Sequence, residues 1–134
     1  MLTKGNDAAP EVKEQAVARV LIAGTLDFAG GDVCAKIIRG AAEAIAESRK
    51  ERGCIAYDWA ADPLIPGRLL VFESWESEAA LGAHFRHSSY LAMVAHLEAH
   101  EIIGFDVKLY SVAGIEAVFT EDGQHRDAIF GVSI

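Results

Sequence analysis

The segment at residues 68–75 constrains the fold of this chain most, because it alternates like a β-strand and yet is apolar on both faces. One face carries Leu69 and Val71, and the other carries Leu70 and Phe72. A strand with one side in water shows polar residues on that side. We therefore expect a sheet that is covered on both faces.

The pattern of the chain predicts four strands and two helical regions, of which the second consists of two stretches. In chain order these are strand 17–28, helix 32–52, strands 54–61 and 68–75, a second helix capped by Ser77, a further helical stretch over 90–100, and strand 102–112. Asp32 is the predicted N-cap of the first helix, and Gly53 is predicted to end it at the C′ position. The resulting β-α-β-β-α-β order is the ferredoxin-like arrangement of an α+β domain with an antiparallel sheet.

Two helices can cover only one face of that sheet. The first predicted strand repeats the two-sided apolar pattern, with Val20 and Ile22 opposing Leu21 and Ala23. A second copy of the chain is the simplest cover for the other face, since most soluble oligomers are symmetric homo-oligomers. We therefore expect a homodimer.

Length and charge limit the class of protein. The 134 residues suit one domain, which we place at 17–116, between an N-terminal arm at 1–16 and a C-terminal extension at 117–134. The net charge of −8 argues against a nucleic-acid partner, whose phosphates attract clustered Lys and Arg. No apolar run reaches the roughly 18 residues of a membrane-spanning helix. We expect no membrane partner.

The N-terminus and the cysteines bear on the compartment. The first residues contain no apolar region of the kind that marks a secretory signal. Only Cys34 and Cys54 are present, without a CxxC motif, so a disulfide framework is not expected. These features favour a reducing, cytoplasmic setting.

The central region carries a series of short motifs. They are Gly-Cys-Ile-Ala-Tyr at 53–57, Asp-Pro at 62–63, Arg68, Val-Phe-Glu-Ser-Trp-Glu-Ser-Glu at 71–78, and Leu-Gly-Ala-His-Phe at 81–85. Together, across residues 17–115, they resemble the antibiotic biosynthesis monooxygenase (ABM) domain. The resemblance implies a dimeric α+β barrel, in which two protomers close their sheets together and each keeps a pocket between its own sheet and helices.

The resemblance also implies a type of chemistry. Members of the family that act as oxygenases use no flavin, haem or metal, so we expect no cofactor. An electron-rich phenol or hydroquinone loses a proton in the pocket, and its anion passes an electron to O₂. Such chemistry needs an apolar aromatic cavity, a base and a group that steadies the anion.

His84 is the candidate catalytic base. An imidazole has an ordinary pKa of about 6.5, so it can accept a phenolic proton near neutral pH. His84 shares a helical face with Leu81 and Phe85, and it matches the histidine of the family's Ala-His motif. The alternative is a structural histidine that bonds a backbone carbonyl. The candidate substrate-binding residues, each with core packing as its alternative, are Tyr57, Phe72, Trp75, Phe85 and Tyr90.

Three other polar residues need an interpretation. Glu73 lies in mid-strand among apolar residues, where an unpaired carboxylate is costly, so we expect it to pair with Arg19 or Arg68. His96 and His100 are four residues apart on a helix and could reach one metal ion. Because no third ligand stands at a matching spacing, a solvated helix face is the favoured interpretation, and we expect no metal site.

Three functions remain open at this stage. The chain could be a cofactor-independent monooxygenase for a small phenol or hydroquinone. It could instead be a non-catalytic module that binds a small apolar metabolite in the same pocket. It could also be a structural dimer domain with a filled core.

Overall fold

The computed structural model describes residues 18–134, and the predicted N-terminal arm at 1–16 lies outside the described residues. The described chain contains β1 (Val20–Phe28), α1 (Val33–Gly40), α2 (Ala42–Arg49), β2 (Cys54–Ala61), β3 (Arg68–Trp75), α3 (Glu78–Phe85), α4 (Ser88–Glu98), β4 (Ile102–Ser111), β5 (Ala128–Ile129) and β6 (Val132–Ser133). It forms two compact units, of which one ends at Val112 and the other contains Ala113–Ile134. None of the helices in these described residues is long and apolar enough to cross a membrane.

The first four strands form one antiparallel sheet in the order β2-β3-β1-β4. At the centre of the sheet, Gly24 of β1 stands between Val71 of β3 and Val107 of β4. A side chain does not fit at position 24, because a Cβ there would lie 2.1 Å from the carbonyl oxygen of Asp106. The strand order and the helices between the strands confirm the predicted ferredoxin-like α+β fold.

The prediction of one unbroken helix over 32–52 was wrong. The helix is interrupted at Ala41, whose ψ of −3° departs from the value of about −42° found in an α-helix. His96 of α4 packs at this point: its Nε2 lies 2.8 Å from the carbonyl oxygen of Ile37, and a Cβ on Gly40 would lie 2.5 Å from its ring. A side chain that engages a helix turn in this way is a recognised cause of bends.

The predicted caps had different outcomes. Asp32 precedes α1, but its side chain makes no capping hydrogen bond. Gly53 does not end the first helical region, since Lys50 already follows α2 as its C-cap. Its φ of +86° instead leads the chain into β2, at a place where a Cβ would lie 2.5 Å from the Cβ of Ala80. Ser77 caps α3 as predicted, because its Oγ accepts a hydrogen bond from the backbone N–H of Ala80 at 3.0 Å.

The helices cover one face of β3. Leu69 and Val71 are buried beneath them, whereas Leu70 and Phe72 on the opposite face are 36% and 40% exposed. We call that opposite side the outer face of the sheet. Both faces of β3 are apolar, and the helices within residues 18–134 cover only one of them.

The unit that contains Ala113–Ile134 holds a small hairpin of β5 and β6. Phe130 and Gly131, with φ values of +46° and +82°, form its two-residue turn. Positive φ at both central residues is the requirement of a type I′ turn. The backbone N–H of Phe130 donates to a carboxylate oxygen of Glu116 at 2.7 Å, which ties this turn to the preceding segment.

Candidate active site

A cavity of about 360 Å³ lies between the sheet and the α3–α4 pair. Its wall is mainly aliphatic and aromatic and consists of Ile22, Leu26, Tyr57, Trp59, Val71, Glu73, Phe85, Tyr90, Met93, Val94, Leu97, Glu98, Ile102 and Val107. Small-molecule sites typically occupy about 300–1,000 Å³ and combine apolar walls with a few polar groups. The cavity therefore suits a small, largely apolar ligand.

The predicted aromatic residues divide into three groups. Tyr57, Phe85 and Tyr90 line the cavity. Trp75 is fully buried and is not part of the wall. The prediction for Phe72 is corrected: as the neighbour of Val71 in an extended strand, it points to the outer face, away from the cavity.

His84 is fully buried and is held by a carboxylate. Its Nδ1 lies 2.8 Å from Oε2 of Glu51, and the same oxygen accepts a hydrogen bond from Oγ of Ser89 at 2.7 Å. Because an ionised carboxylate can only accept, we assign the ring proton to Nδ1. Nε2 is then the nitrogen left to accept a proton, and it is buried with no hydrogen-bond partner among the described residues.

Three aromatic rings enclose the imidazole of His84. The ring centroids of Trp75, Tyr90 and Tyr57 lie 4.6, 5.3 and 5.4 Å from its own, with the two tyrosines edge-on to it. Such contacts restrict the rotation of the ring. Tyr57 and Tyr90 also line the cavity, so they form the shared boundary between His84 and the ligand space.

Glu73 is the buried carboxyl group of the cavity wall. The expected pairing of Glu73 with Arg19 or Arg68 was wrong: within residues 18–134 its ion-pair contact is with His84. Arg68 instead bonds both carboxylate oxygens of Asp27, at 2.7 and 3.0 Å. Glu73 accepts a hydrogen bond from Nε1 of Trp75 at 3.0 Å, and the same oxygen lies 4.0 Å from Nε2 of His84. Burial raises the pKa of Glu73 from 4.5 to about 7, opposed by the Trp75 hydrogen bond and supported by the negative charge of Glu51.

Tyr57 presents a neutral phenol to the same region. Burial raises the pKa of Tyr57 from 10.0 to about 12, and the charge of Glu73 adds to this effect. The phenol therefore stays protonated at neutral pH and can donate a hydrogen bond to an anionic ligand atom.

Two residues of this site, Trp59 and Glu51, were not predicted from the sequence. Trp59 lines the cavity, and its position two residues after Tyr57 on one strand could have revealed it, since such residues share a face. Glu51 gave no such signal. It stands in the charged run at 49–52, which is typical of a solvated helix end, and yet its side chain is only 8% exposed.

The other histidines have structural contacts. His96 reaches the carbonyl oxygen of Ile37, and its ring stands edge-on to that of His100 at a centroid distance of 5.7 Å. His96 is therefore half-buried rather than on a solvated face. Within residues 18–134, no three His, Cys, Asp or Glu side chains are grouped so that they could hold a metal ion.

The comparisons with known proteins agree with this fold. A family model described as antibiotic biosynthesis monooxygenase matches residues 26–96, which is more than half of the chain. A candidate antibiotic biosynthesis monooxygenase from Deinococcus radiodurans superposes with a TM-score of 0.65 at 21% identity, over 75% of this chain and 99% of that chain. A protein from Pseudomonas aeruginosa gives 0.62 at 22% identity, over 74% and 98%.

A third solved structure, from Mycobacterium tuberculosis, gives a TM-score of 0.61 at 20% identity, over 73% of this chain and 99% of that chain. At these identities the likeness establishes the shared fold alone. The sequence has no significant match among the curated proteins.

Proposed function

The chain belongs to the antibiotic biosynthesis monooxygenase family, and on that premise we propose that it is a cofactor-independent monooxygenase for a small phenol or hydroquinone. The observation that carries the proposal is a cavity of about 360 Å³ with aromatic walls and a buried carboxyl group, Glu73, next to His84. The apolar walls would bind an aromatic ring, and the acid–base pair would accept its proton.

The proposed reaction uses the substrate as its own source of electrons. The phenolic O–H bond breaks, the proton passes to the protein, and the electron pair stays on oxygen as a phenolate. The phenolate gives one electron to O₂, and the substrate radical and superoxide then combine at a ring carbon. Loss of water from the resulting hydroperoxide leaves a carbonyl group. A phenol with a free para position and one O₂ thus give a para-quinone and one water, with all four electrons drawn from the phenol.

Each residue of the site would have a separate role in this reaction. Phe85 and Tyr90 would hold the ring of the substrate by aromatic contact. Tyr57, as a neutral phenol, would donate a hydrogen bond to the phenolate oxygen and so stabilise the charge that develops there. His84 would serve as the base, with Nε2 as the nitrogen that finally holds the proton. Trp75 would orient Glu73 through its indole N–H.

We also propose that a second copy of this chain covers the outer face of the sheet. Leu70 and Phe72 of β3 are exposed there, together with Tyr110 at the neighbouring edge. Large apolar side chains exposed together on one face of a sheet commonly mark an interaction surface. A two-fold axis would place the same patch of both copies in one self-complementary interface.

A binding module for a small apolar metabolite is the second candidate function. It is favoured by one observation, namely that His84 does not line the cavity. Oxygen uptake with a panel of phenols and hydroquinones separates the two functions, with binding followed in parallel by quenching of Trp59 fluorescence. Uptake above the uncatalysed rate, matched by quinone formation, supports the monooxygenase. Tight binding without uptake across the panel contradicts it and leaves the binding module.

A further inference from the structure

We propose that Glu73 is the catalytic base that meets the substrate, and that His84 is a positioning residue that takes the proton onward while Glu51 holds it in place. The inference rests on the proposed function and deepens it, because it moves the substrate-facing role from His84 to Glu73. Nothing in the sequence pattern suggested this division, since Glu73 was expected to form a structural ion pair.

The placement of the two side chains supports this assignment. Glu73 is part of the cavity wall, whereas His84 is 0% exposed and is separated from the cavity by Tyr57 and Tyr90. A base must come within about 2.6–3.2 Å of the proton that it removes, directly or through one water. In this structure Glu73 can meet that condition for a ligand in the cavity without any rearrangement of the aromatic wall.

The geometry of His84 supports the transfer of the proton from Glu73 to His84, which we call the relay. Glu51 and Ser89 fix the imidazole from the Nδ1 side, so its Nε2 lone pair is directed at the interior, where Oε1 of Glu73 lies 4.0 Å away. That separation exceeds a direct hydrogen bond by about 1 Å. Such contacts are often long without substrate and shorten when it binds. The position of a carboxylate behind the imidazole also stabilises the imidazolium that a proton would create.

The proton steps balance without a co-reactant other than O₂. The phenolic O–H bond breaks and an O–H bond forms on the Glu73 carboxylate, while the electron pair stays on the phenolate. The carboxyl O–H bond then breaks and an N–H bond forms at Nε2 of His84. After O₂ has added to the ring, the relay returns this proton to the peroxide anion. Glu73 is again a carboxylate and can accept the ring C–H proton as the O–O bond of the hydroperoxide breaks. It then gives this proton to the departing hydroxide, which leaves as water.

The titratable groups that face Glu73 and His84 influence how activity depends on pH. They are Glu51 after α2, Tyr57 from β2, Tyr90 and the exposed Glu98 of the cavity wall from α4, and His87, whose Nδ1 lies 3.8 Å from Oε2 of Glu51. Activity requires both Glu73 and Nε2 of His84 to be free of a proton. The acidic limb of the profile should therefore contain two proton-binding steps that belong to the pair.

An anaerobic binding experiment with 3-nitrophenol, a weaker acid than the Glu73 carboxyl, tests the first step separately from turnover. The anion of this probe absorbs visible light and its neutral form does not, so the spectrum reports whether the bound probe has lost its proton. Just above pH 7 the Glu73 carboxyl is largely ionised while the free probe is still largely neutral, so the wild-type protein should bind the probe as its anion. Glu73→Gln should bind it in the neutral form, since the amide keeps the Trp75 hydrogen bond but cannot accept the proton. Glu101→Gln, at an exposed position before β4, is the matched control and should behave as wild type.

The outcomes are distinct. Anion formation by Glu73→Gln at the wild-type level overturns the inference, and so does a wild-type protein that leaves the probe neutral or unbound. If the wild-type protein deprotonates the probe but takes up no oxygen with any substrate, the proposed function fails while the role of Glu73 as proton acceptor stands. Where turnover is found, Glu73→Gln should lower kcat by about 10²–10⁴-fold.

His84→Asn tests the relay. The amide of Asn can donate to Glu51 as Nδ1 does, but it offers no nitrogen in the place of Nε2. We expect a lower kcat with little change in KM, and an acidic limb with one proton-binding step in place of two. An unchanged pH profile would show that His84 is only a packing residue. Glu51→Gln, which keeps the side-chain volume and weakens the support of the imidazolium, should lower kcat in the same direction.

Discussion

His84 and Glu51 form a 2.8 Å contact between Nδ1 and Oε2, and their side chains are only 1% and 8% exposed. Neither group could regain the lost interaction from water if its partner were removed. Among the described residues, Ser89 would be the remaining hydrogen-bond donor to that oxygen of Glu51. The pair therefore has consequences for stability as well as for proton transfer.

Replacement of His84 should separate these two roles. His84→Ala leaves a buried carboxylate with one donor fewer and a cavity among the aromatic rings, so the free energy of unfolding should fall by about 3–5 kcal/mol. His84→Asn keeps a hydrogen-bond donor for Glu51, so its free energy of unfolding should fall clearly less than that of His84→Ala. Urea denaturation of both variants measures the difference. An alanine variant as stable as the wild type would show that the contact contributes nothing.

Glu73 should make stability depend on pH. The folded protein keeps the Glu73 proton up to about pH 7, whereas the unfolded chain releases it near 4.5. The contribution of Glu73 is thus fully present below pH 4.5 and is lost as the pH rises to about 7. Over this window the wild type should lose about 3 kcal/mol relative to Glu73→Gln, with Glu101→Gln as the control that follows the wild type. Parallel curves for wild type and Glu73→Gln, from urea denaturation at several pH values, would contradict a buried carboxyl.

The phenol of Tyr57 should lose its proton only at high pH. Its phenol is buried near the Glu73 carboxylate, which raises its pKa to about 12. An ultraviolet titration of the wild type should show a step near pH 12 that is missing from Tyr57→Phe. If both proteins give the same titration curve, the phenol is open to water and does not have the environment described above.

The outer face of the sheet should be a dimer interface. Light scattering at micromolar concentration should give about twice the 14.4 kDa mass of one chain. Leu70→Asp places a charge in the centre of that face and should split the dimer, since burial of an unpaired charge costs several kcal/mol. Leu64→Asp makes the same change at a position that is 87% exposed between β2 and β3 and should remain dimeric. A monomeric wild type would rule out this use of the face.

The sequence identified the strands well, because alternation is a local property that survives in the fold. It could show that Leu69 and Leu70 lie on different faces of β3, but not which face the helices cover, and this is why Phe72 was assigned to the cavity. The interruption at Ala41 was also invisible, because it involves His96 from a distant helix.

The site was predictable to a similar extent. Of the residues predicted from the sequence, Tyr57, Phe85 and Tyr90 line the cavity, whereas His84 lies behind the two tyrosines. The sequence also indicated that a charge at Glu73 would be costly to bury, but it could not name the partner. The Trp75 indole, on the same face two residues later, takes the place of the expected arginine.

Oxidation of a phenol under isotopically labelled O₂ tests the central claim most directly. The reaction should be run with wild-type protein that elemental and absorbance analysis show to be free of metal and flavin. We predict that one labelled oxygen atom enters the quinone and the other enters water, at a rate that Glu73→Gln lowers by about 10²–10⁴-fold. A product without label, or turnover that begins only when metal or flavin is added, would contradict a cofactor-independent monooxygenase.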